Sequence, residues 1–209
     1  MKKIAVLVSG GGTNLQAILD AEQAGIIKSG KVSLVLSSKE GAYALERAKN
    51  AGVEGIVVAK KEHPDREEFT NAVRAELEAR GIDLVVLAGF MIILHESFFK
   101  AYENRVINVH PVLIPSFCGE GFYGLHVHEA ALAKGVKLSG ATVHFVNAVC
   151  DGGPIIAQRA VAVKEGDTPE TLQRRIMEEA EWKILPEAVE LFCADRLTVE
   201  DGIVHIAEA

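Results

Sequence analysis

The chain has 209 residues, 49% of them hydrophobic and 24% charged, with a formal net charge of −7. That length suits one domain with a substantial core, and that balance excludes a disordered or low-complexity chain. The acidic charge disfavours nucleic acid and anionic membranes, which need a basic footprint, but leaves room for a small anion held by backbone amides.

Cys118, Cys150 and Cys193 are odd in number and widely spaced, with no CxxC pair, so neither a disulfide framework nor a zinc site is suggested. Thiols in a reducing cytoplasm are the expectation. The apolar run Ile4-Ala5-Val6-Leu7-Val8 is too short for a signal peptide, and no stretch reaches ~18 uninterrupted apolar residues, so no membrane span is expected.

In chain order, that first run reads as a strand covered on both faces. Ser9-Gly10-Gly11-Gly12-Thr13-Asn14 follows, and Leu15, Ile18 and Leu19 recur at helical spacing. The pattern is strand, glycine loop, helix, with Thr13 and Gln16 spaced for a capping box. Backbone N–H groups of such a loop converge on an anion at the positive end of the helix. A plain tight turn is the alternative, but three successive glycines seldom serve a turn alone. Leu15 stands where a dinucleotide fingerprint needs Gly or Ala, and a P-loop Gly-Lys-Ser/Thr is missing, so the loop suits one monophosphate.

Residues 32–36 read as a second strand. A helix carrying Ala42, Leu45, Ala48 and Ala51 closes at Gly52, and residues 55–58 form a third strand. Asp65 with Glu68 predicts a capped helix, with Phe69, Ala72, Val73 and Leu77 inward and Gly81 at its end. Residues 84–88 are a fourth apolar strand. The alternation predicts an α/β fold, an open and mostly parallel twisted sheet with helices on both faces. Gly89-Phe90-Met91-Ile92-Ile93-Leu94 leaves the fourth strand at the edge where such sheets bind ligands; it is either a wall for a flat ring or core filler. Arg66, at a helix start where the dipole disfavours a cation, fits an anionic partner or a plain surface arginine.

Val106-Ile107-Asn108-Val109-His110-Pro111 reads as a short buried strand that ends in polar chemistry. Asn108 and His110 are two apart, so they share a face, and Pro111 stops the ladder. Residues 116–124 make a loop that folds over something or simply connects. His126 and His128 open a helix ending near Gly135. A metal there would need further ligands, and no HExxH or cysteine partner accompanies them.

Residues 139–146 read as a strand, 147–154 as a loop, and a strand resumes at Ile155, giving an antiparallel pair at the sheet's edge. Asp151, ahead of Gly152, Gly153 and Pro154, is either a turn former or a carboxylate presented to orient and charge a histidine. Thr168-Pro169 starts a helix with Leu172, Ile176, Met177 and Ala180 inward, which Pro186 must kink or divide. Residues 196–199 and 203–206, joined through Asp201-Gly202, make a terminal hairpin.

Together, Ser9-Gly10-Gly11-Gly12-Thr13-Asn14-Leu15, Leu87-Ala88-Gly89-Phe90-Met91, Asn108-Val109-His110-Pro111, Leu125-His126-Val127-His128 and Asp151-Gly152-Gly153-Pro154-Ile155 resemble the folate-dependent phosphoribosylglycinamide formyltransferases over nearly the whole chain. The resemblance implies one Rossmann-like formyltransferase domain over residues 1–209, with 1–105 as its phosphate-binding half and 106–209 as its catalytic and folate-binding half. It implies a cytoplasmic monomer or homodimer that moves the formyl group of 10-formyltetrahydrofolate to the amine of glycinamide ribonucleotide in purine biosynthesis, with no metal, nucleic acid or membrane involved.

By position, the resemblance assigns Asn108, His110 and Asp151 to catalysis. Gly12, Thr13 and Asn14 fall to the substrate phosphate and Glu181 to the ribose. The folate falls to Arg66, Met91, Ile92, Ile93, Leu94, Asn108, Asn147 and Asp151. Two departures stand out. Ile92 occupies a place where the family pattern carries Arg, and the segment from Cys118 to Gly124 is longer than the usual link.

The implied chemistry is direct attack of the amine on the formyl carbon. Asn108 would donate to the oxyanion, a role worth about 3–4 kcal/mol. His110 would supply the proton on which N10 leaves, worth roughly 100- to 10,000-fold. Other readings are a 10-formyltetrahydrofolate hydrolase, whose family carries an extra N-terminal regulatory domain, and a formyltransferase for tRNA or a sugar nucleotide, which usually carries a further C-terminal domain. A non-catalytic folate- or nucleotide-binding sensor is the reading of a different class.

Overall fold

A computed structural model describes residues 1–119 and 121–208. Its strands are β1 (Lys2–Val8), β2 (Gly30–Ser37), β3 (Glu54–Val57), β4 (Leu84–Leu87), β5 (Val106–His110), β6 (Leu138–Phe145) and β7 (Ile155–Ala162), with β8 (Leu197–Glu200) and β9 (Ile203–Ile206) as a separate hairpin. The helices are α1 (Thr13–Gln23), α2 (Tyr43–Asn50), α3 (Arg66–Ala79), α4 (Glu96–Ala101), α5 (Leu125–Lys134), α6 (Pro169–Ile176) and α7 (Trp182–Cys193). The main sheet runs β3-β2-β1-β4-β5-β6-β7. β1 to β5 are mutually parallel, and β6 and β7 turn antiparallel to close one edge. The predicted α/β class, antiparallel edge and terminal hairpin are all present.

β1 feeds both faces because its side chains alternate. Ile4, Val6 and Val8 enter a core with Leu15 and Ile18 of α1 and Leu185 and Val189 of α7. Ala5 and Leu7 enter the other core with Phe69, Val73 and Leu77 of α3 and Phe98 of α4. β1 neighbours both β2 and β4, so the order of the strands reverses at that point. The segments after β1, β4 and β5 therefore open at one edge, beside the switch point where such sheets bind ligands.

One local expectation fails, and a second is met at another place. Thr13 does not cap α1; the cap position is Gly12, with φ 71° and no side-chain cap bond. Gln16 instead bonds Asp20 and Arg47. The last helical run does divide, but not at Pro186, which lies inside α7. The break is a π turn at Met177–Glu181. The proline ring crowds the carbonyl four residues back, at Trp182, where the wider π turn hands over to α7. The long segment from Cys118 to Gly124 includes Glu120, which lies outside the described residues.

Candidate active site

The β5–β6 ladder sets Asn108 opposite His144 and His110 opposite Thr142. The loop after β6 brings in the carboxylate. Asn147 Oδ1 accepts the Val149 N–H at 2.9 Å, Asp151 adopts φ 53°, and a Cβ on Gly153 would lie 1.8 Å from the Phe145 carbonyl oxygen. Only glycine lets the chain return so closely. Asp151 Oδ2 then lies 3.9 Å from His110 Nε2, and Oδ1 lies 3.7 Å from His144 Nε2. These side chains are between 1% and 11% exposed, so their charges act with little solvent screening.

Both separations exceed a direct hydrogen bond. Asp151 Oδ2 accepts the Gly119 N–H at 2.9 Å, while His110 Nε2 lies 3.3 Å from the Phe117 carbonyl. A carbonyl can only accept, so His110 carries its proton on Nε2. By the same rule His144 Nδ1 donates to the Phe145 carbonyl at 2.8 Å. Its Nε2 is left as an acceptor, and Asn108 Nδ2 donates to it over 3.3 Å. Burial holds the His144 pKa below the usual histidine range, outweighing the Phe145 carbonyl and Asp151, which pull it up. The neutral form that can accept from Asn108 is therefore favoured.

Thr142 secures the turn after His110. Its hydroxyl donates to the Val112 carbonyl at 2.7 Å and accepts from the Ile114 N–H at 3.0 Å and Gln158 Nε2 at 2.9 Å. Sequence reasoning missed His144 and Thr142. Their two-residue spacing repeats that of Asn108 and His110, but only the antiparallel register aligns the pairs.

At the glycine loop, the Gly10 carbonyl accepts the Ala44 N–H at 3.1 Å and the Gly12 carbonyl accepts the Gln16 N–H at 2.9 Å. A Cβ on Gly12 would lie 2.6 Å from the Ala44 Cβ, so close packing on α2 requires glycine there. Asn14 Nδ2 donates to Glu181 Oε2 at 2.8 Å, bridging α1 and the π turn. Burial pushes the Glu181 carboxyl up to about 7, against the Asn14 hydrogen bond, which lowers it. Among the described residues the buried Asn14 Oδ1 has no partner. A buried orphan acceptor beside a buried carboxyl suits a ligand rich in hydroxyl donors.

The loop after β4 is core filler only in part. Met91 and Ile93 are 57% and 60% exposed, whereas Leu94 is buried and Phe90 and Ile92 pack against the second core. The Met91 N–H donates to Ser9 Oγ at 3.0 Å, tying this loop to the glycine loop. Asp65 caps α3 by accepting the Glu67 and Glu68 N–H groups. Arg66, the first residue of α3, is exposed but not free: Nη2 donates to the Leu94 carbonyl. Asn147 is exposed and holds its own loop.

The two histidines of α5 diverge. His126 is exposed and pairs with Glu129 at 2.9 Å. His128 is fully buried, without a hydrogen-bond partner among the described residues, and burial followed by the nearby His110 charge lowers its pKa to about 4. Among the described residues no group of three or more His, Cys, Asp and Glu is placed to hold a metal. Nor is any described helix long and apolar enough to cross a membrane.

Residues 2–189 match the family model described as formyl transferase. The chain is 38% identical over 206 residues to a phosphoribosylglycinamide formyltransferase of Haemophilus influenzae, covering 99% of this chain and 94% of that protein. It is 41% identical over 207 residues to the trifunctional purine biosynthetic protein adenosine-3 of Gallus gallus, covering 99% of this chain but only 19% of that protein. It also matches the crystal structure of glycinamide ribonucleotide transformylase 1 from Symbiobacterium toebii, with a TM-score of 0.93 at 47% identity, over 100% of this chain and 95% of that one.

Proposed function

The chain belongs to the phosphoribosylglycinamide formyltransferases, and we propose that Asn108, His110 and Asp151 carry out the formyl transfer at the edge of β5. It is an enzyme of purine biosynthesis. The donor is 10-formyltetrahydrofolate, and the acceptor is the amine of glycinamide ribonucleotide. The single observation that carries this reading is the convergence of a carboxamide N–H, an imidazole Nε2–H and a largely enclosed carboxylate beside the glycine-loop edge of the sheet.

The amine attacks the formyl carbon and a C–N bond forms while charge collects on the formyl oxygen. Asn108 Nδ2 has two hydrogens, and one is held by His144 Nε2. The direction of the other is thereby fixed, which makes it a preorganised donor to the oxyanion. His110, acting as the imidazolium and displaced from the Phe117 carbonyl, gives its Nε2 proton to N10 and is left neutral, and the C–N10 bond breaks. Asp151 takes the proton shed by the amine and returns it to His110. The 3.9 Å gap between them suits a relay through one water. The net change is formyl one way and a proton the other, so no covalent enzyme intermediate and no metal are needed.

The phosphate lies on the N–H groups of Gly12, Thr13 and Asn14, and the ribose hydroxyls meet Glu181 and Asn14 Oδ1. The folate ring packs on Met91 and Ile93 and bonds the backbone of Ile92 and Leu94. Arg66 holds that loop, and Asn147 and Asp151 close the opposite side. Ile92, packed inward, contributes no polar side-chain contact to the folate. Residues 1–105 thus hold the phosphate and one wall of the folate site, while 106–209 supply catalysis, the ribose contact of Glu181 and the opposite folate wall, in one domain, as a cytoplasmic monomer or homodimer.

The test is purified protein with 10-formyltetrahydrofolate, with and without glycinamide ribonucleotide. Amine-dependent release of tetrahydrofolate is expected. Release without the amine would make the chain a hydrolase, and binding without release a sensor.

A further inference from the structure

Arg47, on α2, lies against the glycine loop. Its Nε–H donates to the Gly11 carbonyl at 2.8 Å and its Nη1 donates to Gln16 Oε1 at 2.9 Å. Its guanidinium lies over the Tyr43 ring, 5.0 Å from the centroid. Gln16 is held in turn by Asp20 at 2.8 Å. Three simultaneous contacts fix a half-buried side chain, and the planar guanidinium fork suits bonding at two points at once.

The consequence falls on the glycine loop. Three successive carbonyls are tied back: Gly10 by the Ala44 N–H, Gly11 by Arg47 and Gly12 by the Gln16 N–H. In a trans peptide the N–H points opposite to its own C=O. Fixing these carbonyls therefore aims the N–H groups of Gly11, Gly12 and Thr13 the other way. Backbone groups set the first and third. The middle peptide is set by a side chain alone, between two glycines, with open space around Gly11. Glycine pairs offer little resistance to peptide rotation.

We propose that Arg47 is a positioning residue for the substrate monophosphate, locking the Gly11–Gly12 peptide with its N–H toward the phosphate and placing a fixed positive charge behind the loop. This rests on the glycine loop being the phosphate site. It makes α2, which lines neither reacting group, part of the specificity for a phosphorylated acceptor.

The experiment compares kcat and KM for wild type, Arg47→Met, Arg47→Lys and Gln16→Ala, using glycinamide ribonucleotide and its dephosphorylated riboside. Arg47→Met should raise the nucleotide KM roughly 10- to 100-fold, with kcat and the folate KM unchanged, and should shrink the preference for nucleotide over riboside. Arg47→Lys keeps the charge but cannot reach Gly11 and Gln16 together, so it should recover part of the loss. Gln16→Ala keeps Arg47 and its ring contact, and should give a smaller rise even where Arg47→Met folds poorly. A wild type that prefers the nucleotide, with Arg47→Met and Gln16→Ala keeping that preference in full, would overturn the role of Arg47 and leave the cradle standing. A wild type indifferent to the phosphate would overturn the cradle itself.

Discussion

Asn108 can aim only one hydrogen at an oxyanion if the other is held, and His144 holds it. Asn108→Ala should lower kcat by roughly 100- to 1,000-fold. His144→Phe leaves the carboxamide present but unaimed, and should cost roughly 10-fold. The double variant should be no slower than Asn108→Ala alone, because His144 acts only through Asn108. Additive losses in the kcat cycle would mean that His144 acts on its own. His110→Ala and Asp151→Ala should each lower kcat by roughly 100-fold or more with little change in substrate affinity; either variant turning over at the wild-type rate would remove that residue from the mechanism.

Glu181 is a second site residue whose chemistry is set by burial. Its pKa rises from 4.5 to about 7 in the fold. Between those values the native state keeps a proton that the unfolded chain has shed, so stability is full below about pH 4.5 and falls as pH rises through 7. Glu181→Gln removes that dependence. Relative to wild type it should gain up to about 3 kcal/mol between pH 4.5 and 8, measured by urea unfolding across that range. A constant gap would show that Glu181 is ionised throughout. The same variant should bind the nucleotide less well, since a carboxylate accepts ribose hydroxyls more strongly than a carboxamide.

At the scale of elements, the site depends on short turns more than on helices and strands. The return at Gly153 leaves no room for a side chain, and it delivers Asp151 to His110. Gly153→Ala must push β7 from β6 or move the loop. It should cost about 1–3 kcal/mol of stability and also lower kcat, read from a melting curve and a turnover assay; normal turnover would mean that Asp151 reaches its place by another path. Asp65→Ala removes the cap of α3 and should cost about 1 kcal/mol.

The sequence made some of these elements legible and hid others for physical reasons. Apolar runs as in β1 and β4 are visible because buried parallel strands need them. The Asp65 cap is visible because its partners are two and three residues away. The paired spacing of Asn108 and His110 survives in any extended strand. The Thr13 cap misled because φ 71° at Gly12 starts α1 one residue earlier than a threonine cap would. The π turn carries no signature of its own, and Pro186 drew the break downstream of it. His144 and Arg47 act across register and across helices, through contacts that no local pattern encodes.

For the whole molecule, the two halves of the site predict one unfolding unit. Cutting the chain at residue 105 would separate β4 from β5, which pair in register, and strip α7 from α1. Ties from residues 181–195 reach back to residues 2–29: Glu190 accepts the Lys28 and Ser29 N–H groups, Asp195 pairs with Lys2, and Glu181 holds Asn14. A fragment 1–105 would expose Ile4, Val6, Val8, Leu15 and Ile18 to water, and burying each such side chain is worth about 1.5–3 kcal/mol. Summed over the five, that loss is about 8–15 kcal/mol, as large as the total stability of most domains, about 5–15 kcal/mol. Neither fragment should fold by circular dichroism, and the full chain should melt in one transition with equal calorimetric and van't Hoff enthalpies. Saturating nucleotide, at about 100 times its Kd, should raise stability by about 2.7 kcal/mol without splitting the transition, because the proposed site sets its phosphate on the first half and its ribose on Glu181 of the second. Two resolved transitions, only one of them moving with ligand, would mean that the halves are independent and that the nucleotide touches only one.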